Sequence, residues 1–135
     1  MATGEGAIYN GYKEAVLVGD AGASFKMMLV ANYTPDIDTH SLYSHVSSYE
    51  VSGTGYTAGG RSLTNVSITI DATNNRAVVD ADDVTWTSLD VGTPSHAILY
   101  DAGSNLLVAY WELGVASNGN DYTLQFNQLG ILLLQ

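Results

Sequence analysis

The second half of the chain consists of short segments in which apolar and polar residues alternate, separated by turns rich in Gly, Asn and Asp. In residues 66–70, Val, Ile and Ile are separated by Ser and Thr, which is the two-residue period of a half-buried strand. Residues 71–75 have turn chemistry, and residues 77–79 are apolar again. This pattern predicts a β-hairpin, and it constrains the fold more than any other feature of the sequence.

The same pattern recurs towards the C-terminus. Further strands are predicted at residues 84–87, 96–100, 106–113, 122–126 and 131–134. Residues 101–105 give a second hairpin turn, and Asn118-Gly119 is the strongest two-residue hairpin signal in the chain. About eight strands with turns roughly every 8–12 residues are typical of a mainly β fold, an antiparallel β-sandwich or jelly-roll-like domain.

The first half of the chain is less regular. Apolar residues in 8–18 have helical spacing and Gly19 follows as a stop signal, so we expect a short N-terminal helix there. The remaining predictions are a strand with one buried face at 25–30, an irregular excursion at 31–48 with one helical turn at 41–46, a short strand at 49–51, and a glycine-rich loop at 52–60.

Length and composition indicate one soluble domain over residues 1–135. A chain of 135 residues with 46% hydrophobic residues can bury a real core. It has no cysteine, which excludes disulfides, thiolate metal sites and thiol nucleophiles. The first six residues have neither a basic segment nor an apolar core, so no signal peptide is expected. No apolar run approaches the roughly 20 residues that span a bilayer.

Charge narrows the choice of partner. Four basic residues face fourteen acidic ones, which gives a formal net charge of −10. Such a surface repels phosphate backbones and anionic membranes, so we expect neither a nucleic acid nor a membrane as a partner. It favours solubility at high local concentration and contact with basic patches or cations.

Motifs for catalysis or cofactor binding are weak. The glycine-rich segment 53–60 is followed by Arg61-Ser62 and a strand pattern rather than by the Lys-Ser/Thr pair and helix of a phosphate-binding loop. We therefore interpret it as a sharp turn packed around Tyr56. The three histidines form no His-x-x-x-His pair, and there is no Gly-x-Ser-x-Gly motif. We predict no enzyme activity, no catalytic residue and no cofactor.

Two groups of acidic residues could bind a cation. Each offers oxygen ligands of the kind that Ca²⁺ prefers, but neither has the spacing of an EF-hand loop. Solvated turn carboxylates are the commoner explanation, so no metal ligand is assigned. The groups are Asp36 and Asp38 with His40, and Asp80 with Asp82 and Asp83.

Aromatic residues suggest where the chain could meet a partner. Nine tyrosines and two tryptophans could line a sugar-binding face, but they serve equally well in a core or an oligomer interface. We expect Tyr49, Tyr56 and Trp111 to be core or interface anchors.

Four segments of the chain resemble a family of small structural proteins of tailed bacteriophages. In order, they are MLVANYTPD at 28–36, YEVSGTGYTAGG at 49–60, DADDVTW at 80–86 and NQLGILLL at 127–134. The resemblance spans most of the chain, and EVSGTGYTAGG is its most specific part. The chain differs from the family pattern at His96, because a more basic residue often precedes the Tyr-Asp strand.

The resemblance implies a virion component, most simply a head decoration (cement) protein that binds the major capsid protein or other virion proteins. A homo-oligomer would follow, and a homotrimer suits the three-fold positions of a capsid. The resemblance implies no catalytic residues. The alternatives are a tail or neck component, and a carbohydrate- or receptor-binding module displayed on the particle.

Overall fold

The computed structural model describes residues 6–9, 24–71, 73, 76–126 and 132–134. Strands predominate in these residues, and the helical part is one turn, α1 (Tyr43–Val46), followed by a 3-10 turn (Ser47–Tyr49). The strands are β1 (Gly6–Ile8), β2 (Phe25–Val30), β3 (Arg61–Ser62), β4 (Ser67–Asp71), β5 (Arg76–Asp80), β6 (Val84–Trp86), β7 (His96–Asp101), β8 (Leu106–Glu112), β9 (Tyr122–Leu124) and β10 (Leu132–Leu134).

All strand pairs are antiparallel. They form a five-stranded sheet in the order β1-β8-β7-β2-β3, a three-stranded sheet in the order β10-β5-β4, and a ribbon of β6 and β9. The prediction of a mainly β, antiparallel fold is confirmed. The finer prediction of a sandwich or jelly-roll-like topology stays a prediction. No helix in the described part of the chain is long and apolar enough to cross a membrane.

The central sheet is buried on one side by the β6–β9 ribbon. Side chains of β6, β9 and the residues after β6 pack here, among them Trp86, Leu89 and Leu124, which are almost fully buried. We call this side the apolar face. Its sheet residues include Phe25, Met27, Leu29, Ala97, Leu99 and Trp111.

The opposite side of the sheet is buried by residues 31–50, which include the irregular excursion and which we call the cover. Tyr33, Ile37, Tyr43 and Val46 of the cover pack against it. We call this side the tyrosine face. Its residues include Tyr9, Met28, Val30, Ile98, Tyr100, Leu107 and Tyr110. The prediction of one buried face for β2 was therefore wrong, because layers lie on both sides and Met27 and Met28 are equally buried.

A β-bulge adjusts the register between β7 and β8. Leu99 pairs with Ala109, whereas the next residue, Tyr100, pairs with Leu107. Val108 is therefore the extra residue, and it joins Ala109 in the core of the apolar face. The bulge lets two consecutive residues of one strand face the same side.

The local hairpins are where prediction and structure agree best. β4 and β5 pair from Ser67↔Asp80 to Asp71↔Arg76, and β7 and β8 pair around the turn at 102–105. The single helical turn predicted at 41–46 is also present as α1. In each case the pairing or hydrogen bonding is between residues close in sequence.

Three other predictions fare differently. The N-terminal helix over 8–18 begins at Ile8, which lies in β1 and pairs with Ala109, while residues 10–18 lie outside the described residues. The strand at 49–51 is reduced to one bridge between Glu50 and Val30, because the 3-10 turn occupies the residues before it. Asn118-Gly119 does not form a hairpin between β8 and β9, because β9 pairs with β6.

Candidate functional site

The glycine-rich loop (residues 52–60) leaves and rejoins the same edge of β2. Before the loop, Val51 N donates to Leu29 O at 3.1 Å. After the loop, β3 pairs with the first half of β2, with Arg61 opposite Met27. The loop therefore projects from a gap between two segments that share one strand edge.

Glu50 closes the base of this loop. Its Oε1 atom accepts a hydrogen bond from the Tyr43 hydroxyl at 2.6 Å. Its Oε2 atom accepts one from the Tyr56 hydroxyl and another from Gly59 N at 2.8 Å. We call this arrangement the Glu50 clamp. Hydrogen bonds to a charged acceptor are stronger than neutral ones, so three converging donors fix the loop firmly.

Tyr56 also replaces a missing strand neighbour. Leu29 N donates to the Tyr56 hydroxyl at 3.2 Å, in the gap that neither residues 49–51 nor β3 fills. Burial and the hydrogen bond to Glu50 both raise the pKa of the Tyr56 and Tyr43 phenols above the ordinary value. Both phenols therefore keep their protons at neutral pH and remain donors to Glu50.

Tyr100 ties the end of the loop to the tyrosine face. Its hydroxyl donates to Gly59 O at 2.6 Å, and its ring lies 5.0 Å from that of Tyr43. Gly59 is thus held through both its N–H and its C=O, by Glu50 and Tyr100. Glu50 and Tyr100 therefore fix the backbone of the loop, and Tyr43 of α1 and Tyr56 of the loop hold Glu50 in place.

Two close backbone contacts explain why glycine occurs here. A Cβ atom on Gly60, whose φ is +79°, would lie 1.9 Å from Met27 O. A Cβ atom on Gly55, whose φ is +84°, would lie 2.7 Å from both Thr87 O and Ser88 O. Only glycine combines positive φ with such close approach. The loop is pressed between β2 and the residues that follow β6.

The outer surface of the loop is uncharged and built from small side chains. Residues 51–60 contain no Asp, Glu, Lys or Arg. The exposed side chains are those of Ser52, Thr54, Thr57 and Ala58. In a chain with a net charge of −10 the loop itself carries no charge, although Lys26 Nζ lies beside Gly59. The backbone conformation of the loop is set before any partner binds.

The three predicted anchors lie in different places. Tyr56 is part of the Glu50 clamp. Tyr49 is 41% exposed and lies 5.3 Å from the ring of Tyr33, on the cover. Trp111 is half-buried on the apolar face, 6.2 Å from the ring of Phe126. The structure does not bring them together into one surface.

The acidic groups are engaged in hydrogen bonds within the chain, Asp36 in a local turn and Asp82 with a distant segment. Asp36 Oδ1 accepts hydrogen bonds from the backbone of Asp38 and Thr39, and the bonds from Thr39 hold the pKa of Asp36 below its usual value. Asp82 Oδ2 accepts from Thr64 and Asn65. Among the described residues, no three His, Asp or Glu side chains converge as metal ligands do.

Sequence reasoning missed the Glu50 clamp. Its donors, Tyr43, Tyr56 and Gly59, are all within nine residues of Glu50. A usable signal existed, because Glu50 is the only acidic residue in 41–60 and is flanked by these tyrosines. A lone carboxylate in an uncharged, Tyr- and Gly-rich segment indicates a buried acceptor.

Comparisons with models of known protein families, with curated proteins and with solved structures gave no match. Both oxygens of Glu50 are occupied by donors of the chain itself, an arrangement suited to holding a loop rather than to moving a proton.

Proposed function

We propose that this chain is a structural protein of a tailed-bacteriophage virion, a head decoration (cement) protein whose glycine-rich loop contacts the major capsid protein. The observation that carries the proposal is the preorganised, uncharged surface of residues 52–60. This is also the segment with the most specific resemblance to phage structural proteins. The role is binding rather than catalysis.

A fixed loop of small residues binds at low entropic cost. Ser, Thr, Ala and Gly have few rotamers to lose, and the Glu50 clamp has already ordered their backbone. Such a surface gives a modest interface at each contact. On a shell with many equivalent positions, modest interfaces add through multivalency.

Charge supports the same role. The net charge of −10 keeps the free protein soluble and complements basic patches on a shell, which steers binding. A homotrimer at the three-fold positions is the assembly we propose. The sandwich-like layering of the ribbon on the central sheet supplies a rigid framework without disulfides.

The loop contact can be tested with two exposed threonines. Thr57→Arg introduces bulk and charge into the loop surface, whereas Thr93→Arg makes the same change at an exposed position outside it. Binding to empty capsids of the virus that encodes this chain is measured by co-sedimentation. We expect Thr57→Arg to weaken binding at least about tenfold, as loss of a central contact does, and Thr93→Arg to leave it unchanged.

Other outcomes would contradict the loop interface, the decoration role or the trimer. Equal binding by both variants would remove the loop from the interface. Failure of the unmodified protein to bind capsids would reject decoration. An image reconstruction of the whole particle then separates head from neck and tail, and a light-scattering mass equal to one chain would reject the trimer.

A carbohydrate-binding role is the second candidate, and exposed Tyr49 favours it. Its ring is available to solvent beside Tyr33 and the imidazole of His40, and aromatic rings stack on sugar faces. A glycan array probed with the unmodified protein, with Tyr49→Ala and with the control Val115→Ala would test it. Signals lost only with Tyr49→Ala support this role, and an array without signals rejects it.

A further inference from the structure

Two of the three histidines contact Tyr33 on the tyrosine face, and the third lies beside one of them. The His40 ring stacks on Tyr33 with a centroid distance of 5.5 Å, and the His96 ring meets it edge-on at 5.6 Å. The His45 ring lies 6.5 Å from that of His40. Two of these residues belong to the cover and the third to β7, so the cluster joins the cover to the sheet.

His45 holds the start of α1 in its neutral form. His45 is the third residue of α1, and its side chain reaches back as in the second half of a capping box. Its Nδ1 atom accepts from Leu42 N, the N-cap amide, at 3.2 Å and from Ser41 N at 3.1 Å. An imidazolium carries a proton on Nδ1. Protonation of His45 would therefore place its Nδ1–H group opposite the Ser41 and Leu42 N–H groups, and both hydrogen bonds would be lost.

His40 ends a chain of hydroxyl groups that reaches into the core. Tyr9 and Tyr33 hydroxyls are 2.9 Å apart, and the Tyr33 hydroxyl lies 2.9 Å from His40 Nδ1. When Nδ1 of a neutral His40 is the acceptor, that is in the Nε2–H tautomer, the protons run from Tyr9 to Tyr33 to His40. A protonated Nδ1 donates to Tyr33 instead and reverses the chain, leaving the buried Tyr9 proton without an acceptor among the described residues.

His96 is disfavoured as a cation by burial. It is 9% exposed, its Nδ1 lies 3.0 Å from Ser95 Oγ, and Tyr33 and Tyr110 meet its ring edge-on. Burial lowers the pKa of His96, and the charge of Glu112 only partly opposes this. The neutral ring therefore contributes stability that is present above about pH 6.5, the ordinary histidine value, and is lost as the pH falls.

The charged and titratable groups facing the cluster do not supply the missing acceptors. Asp36 faces His40, Glu112 faces His96, and Tyr9, Tyr33, Tyr49 and Tyr110 complete the surroundings. Both carboxylates favour imidazolium through space, as does the net charge of −10. Asp36 is fully exposed, so its effect is screened by solvent. His45 is exposed as well, but the loss of its two hydrogen bonds is a contact effect that ionic screening does not remove.

We propose that the cover is an acid-sensitive element: protonation of the histidine cluster releases residues 31–50 from the tyrosine face while the apolar face stays folded. The trigger is the replacement of acceptors by donors at His45 and His40, together with charging of the buried His96. The two faces therefore differ in their response to pH. Release would uncover Met28, Val30 and Ile98 of the sheet.

Hydrogen exchange at pH 7.5 and 5.5, corrected for intrinsic rates, tests the proposal on the full chain. We expect protection of the Tyr43, His45 and Leu107 amides to fall at least about tenfold at the lower pH, the effect of losing one or two net hydrogen bonds. Amides of β6 and β9 are the internal control and should be unaffected. Equal protection at both pH values, or a parallel loss in β6 and β9, overturns the proposal.

A variant separates the histidine from general acid effects. Gln at position 45 keeps an acceptor that does not titrate in this range, so His45→Gln should retain the cap and lose most of the pH response. An undiminished response in this variant contradicts the proposed trigger. Imidazole nitrogen shifts of the unmodified protein give a check independent of any variant, because the proposal requires the Nε2–H tautomer at His45 at pH 7.5 and fails if Nδ1 carries the proton.

Discussion

Ile98 and Leu99 are neighbours on β7 and are both fully buried, yet they belong to opposite faces of the central sheet. Leu99 lies among aliphatic side chains and Trp86 under the β6–β9 ribbon. Ile98 lies among tyrosines under a cover with a single helical turn. The apolar face is held mainly by the hydrophobic effect, whereas the tyrosine face also depends on hydrogen bonds among phenols, imidazoles and one carboxylate.

The edge of β2, where the two faces meet, should be the most sensitive place. Gly60→Ala would force a Cβ atom against Met27 O, and we expect a loss of at least about 3 kcal/mol in the free energy of unfolding, because positive φ and a backbone clash act together. Gly119→Ala is the matched control, since its φ of +85° is similar but nothing lies within 4 Å. It should cost only about 1 kcal/mol. Urea unfolding measures the free energy of unfolding of both variants. Equal losses would show that the contact with Met27 O adds no cost beyond that of positive φ.

Truncations on the two sides of β7 test the comparison directly. Leu99→Ala and Ile98→Ala should each cost about 3 kcal/mol at pH 7.5, because each leaves a cavity in a packed core. At pH 5.5 the cost of Ile98→Ala should shrink while that of Leu99→Ala persists, since only the tyrosine face loosens. Denaturant titration of the unmodified protein and of both variants at the two pH values gives the loss of unfolding free energy for each variant at each pH. A constant cost at both positions would mean that the faces respond alike to acid.

Removal of the clamp charge should have the next largest effect. Glu50→Gln replaces one carboxylate oxygen by an NH₂ group, which must face a donor of Tyr43, Tyr56 or Gly59. We expect a loss of about 2 kcal/mol, and faster exchange of the Gly59 amide. Asp90→Asn removes the same charge from an exposed side chain and should change stability little. If both variants are equally stable, the loop is held by its glycine contacts alone.

Removal of single hydroxyl groups compares the faces at the finest scale. Tyr33→Phe breaks two hydrogen bonds in the tyrosine face, to Tyr9 and His40, and should cost about 2 kcal/mol. Tyr122→Phe breaks one bond, to Val115 O at 2.8 Å, and should cost about 1 kcal/mol. Thermal unfolding ranks the two, and a reversed order would mean that the two hydrogen bonds of Tyr33 add less to stability than the single bond of Tyr122.

Local pairing could be predicted from the sequence, and non-local pairing could not. The hairpins of β4 with β5 and β7 with β8 follow from alternation on both sides of a turn. The pairing of β6 with β9 joins Thr85 to Thr123, and no local pattern specifies such a partner. The hairpin predicted at Asn118-Gly119 does not form for the same reason. Gly119 N donates to Leu89 O at 2.7 Å, so this turn bonds to a distant segment of the chain.

The candidate site was predicted only in outline. Tyr56 was expected as an anchor within a glycine-rich turn, and that position is the one from which it reaches Glu50. The roles of Tyr43 and Tyr100 depend on the cover folding back onto β7, which alternation in the sequence does not encode. The contact of His96 with Tyr33 has the same non-local origin.

The Glu50 clamp has a consequence for behaviour in salt. Its carboxylate is held by phenol and amide donors rather than by a Lys or Arg partner, so added ions have little attraction to weaken there. The same ions screen the mutual repulsion of a chain with a net charge of −10. Raising the ionic strength should therefore stabilise the fold, and the folded state should be more stable in concentrated salt than in water.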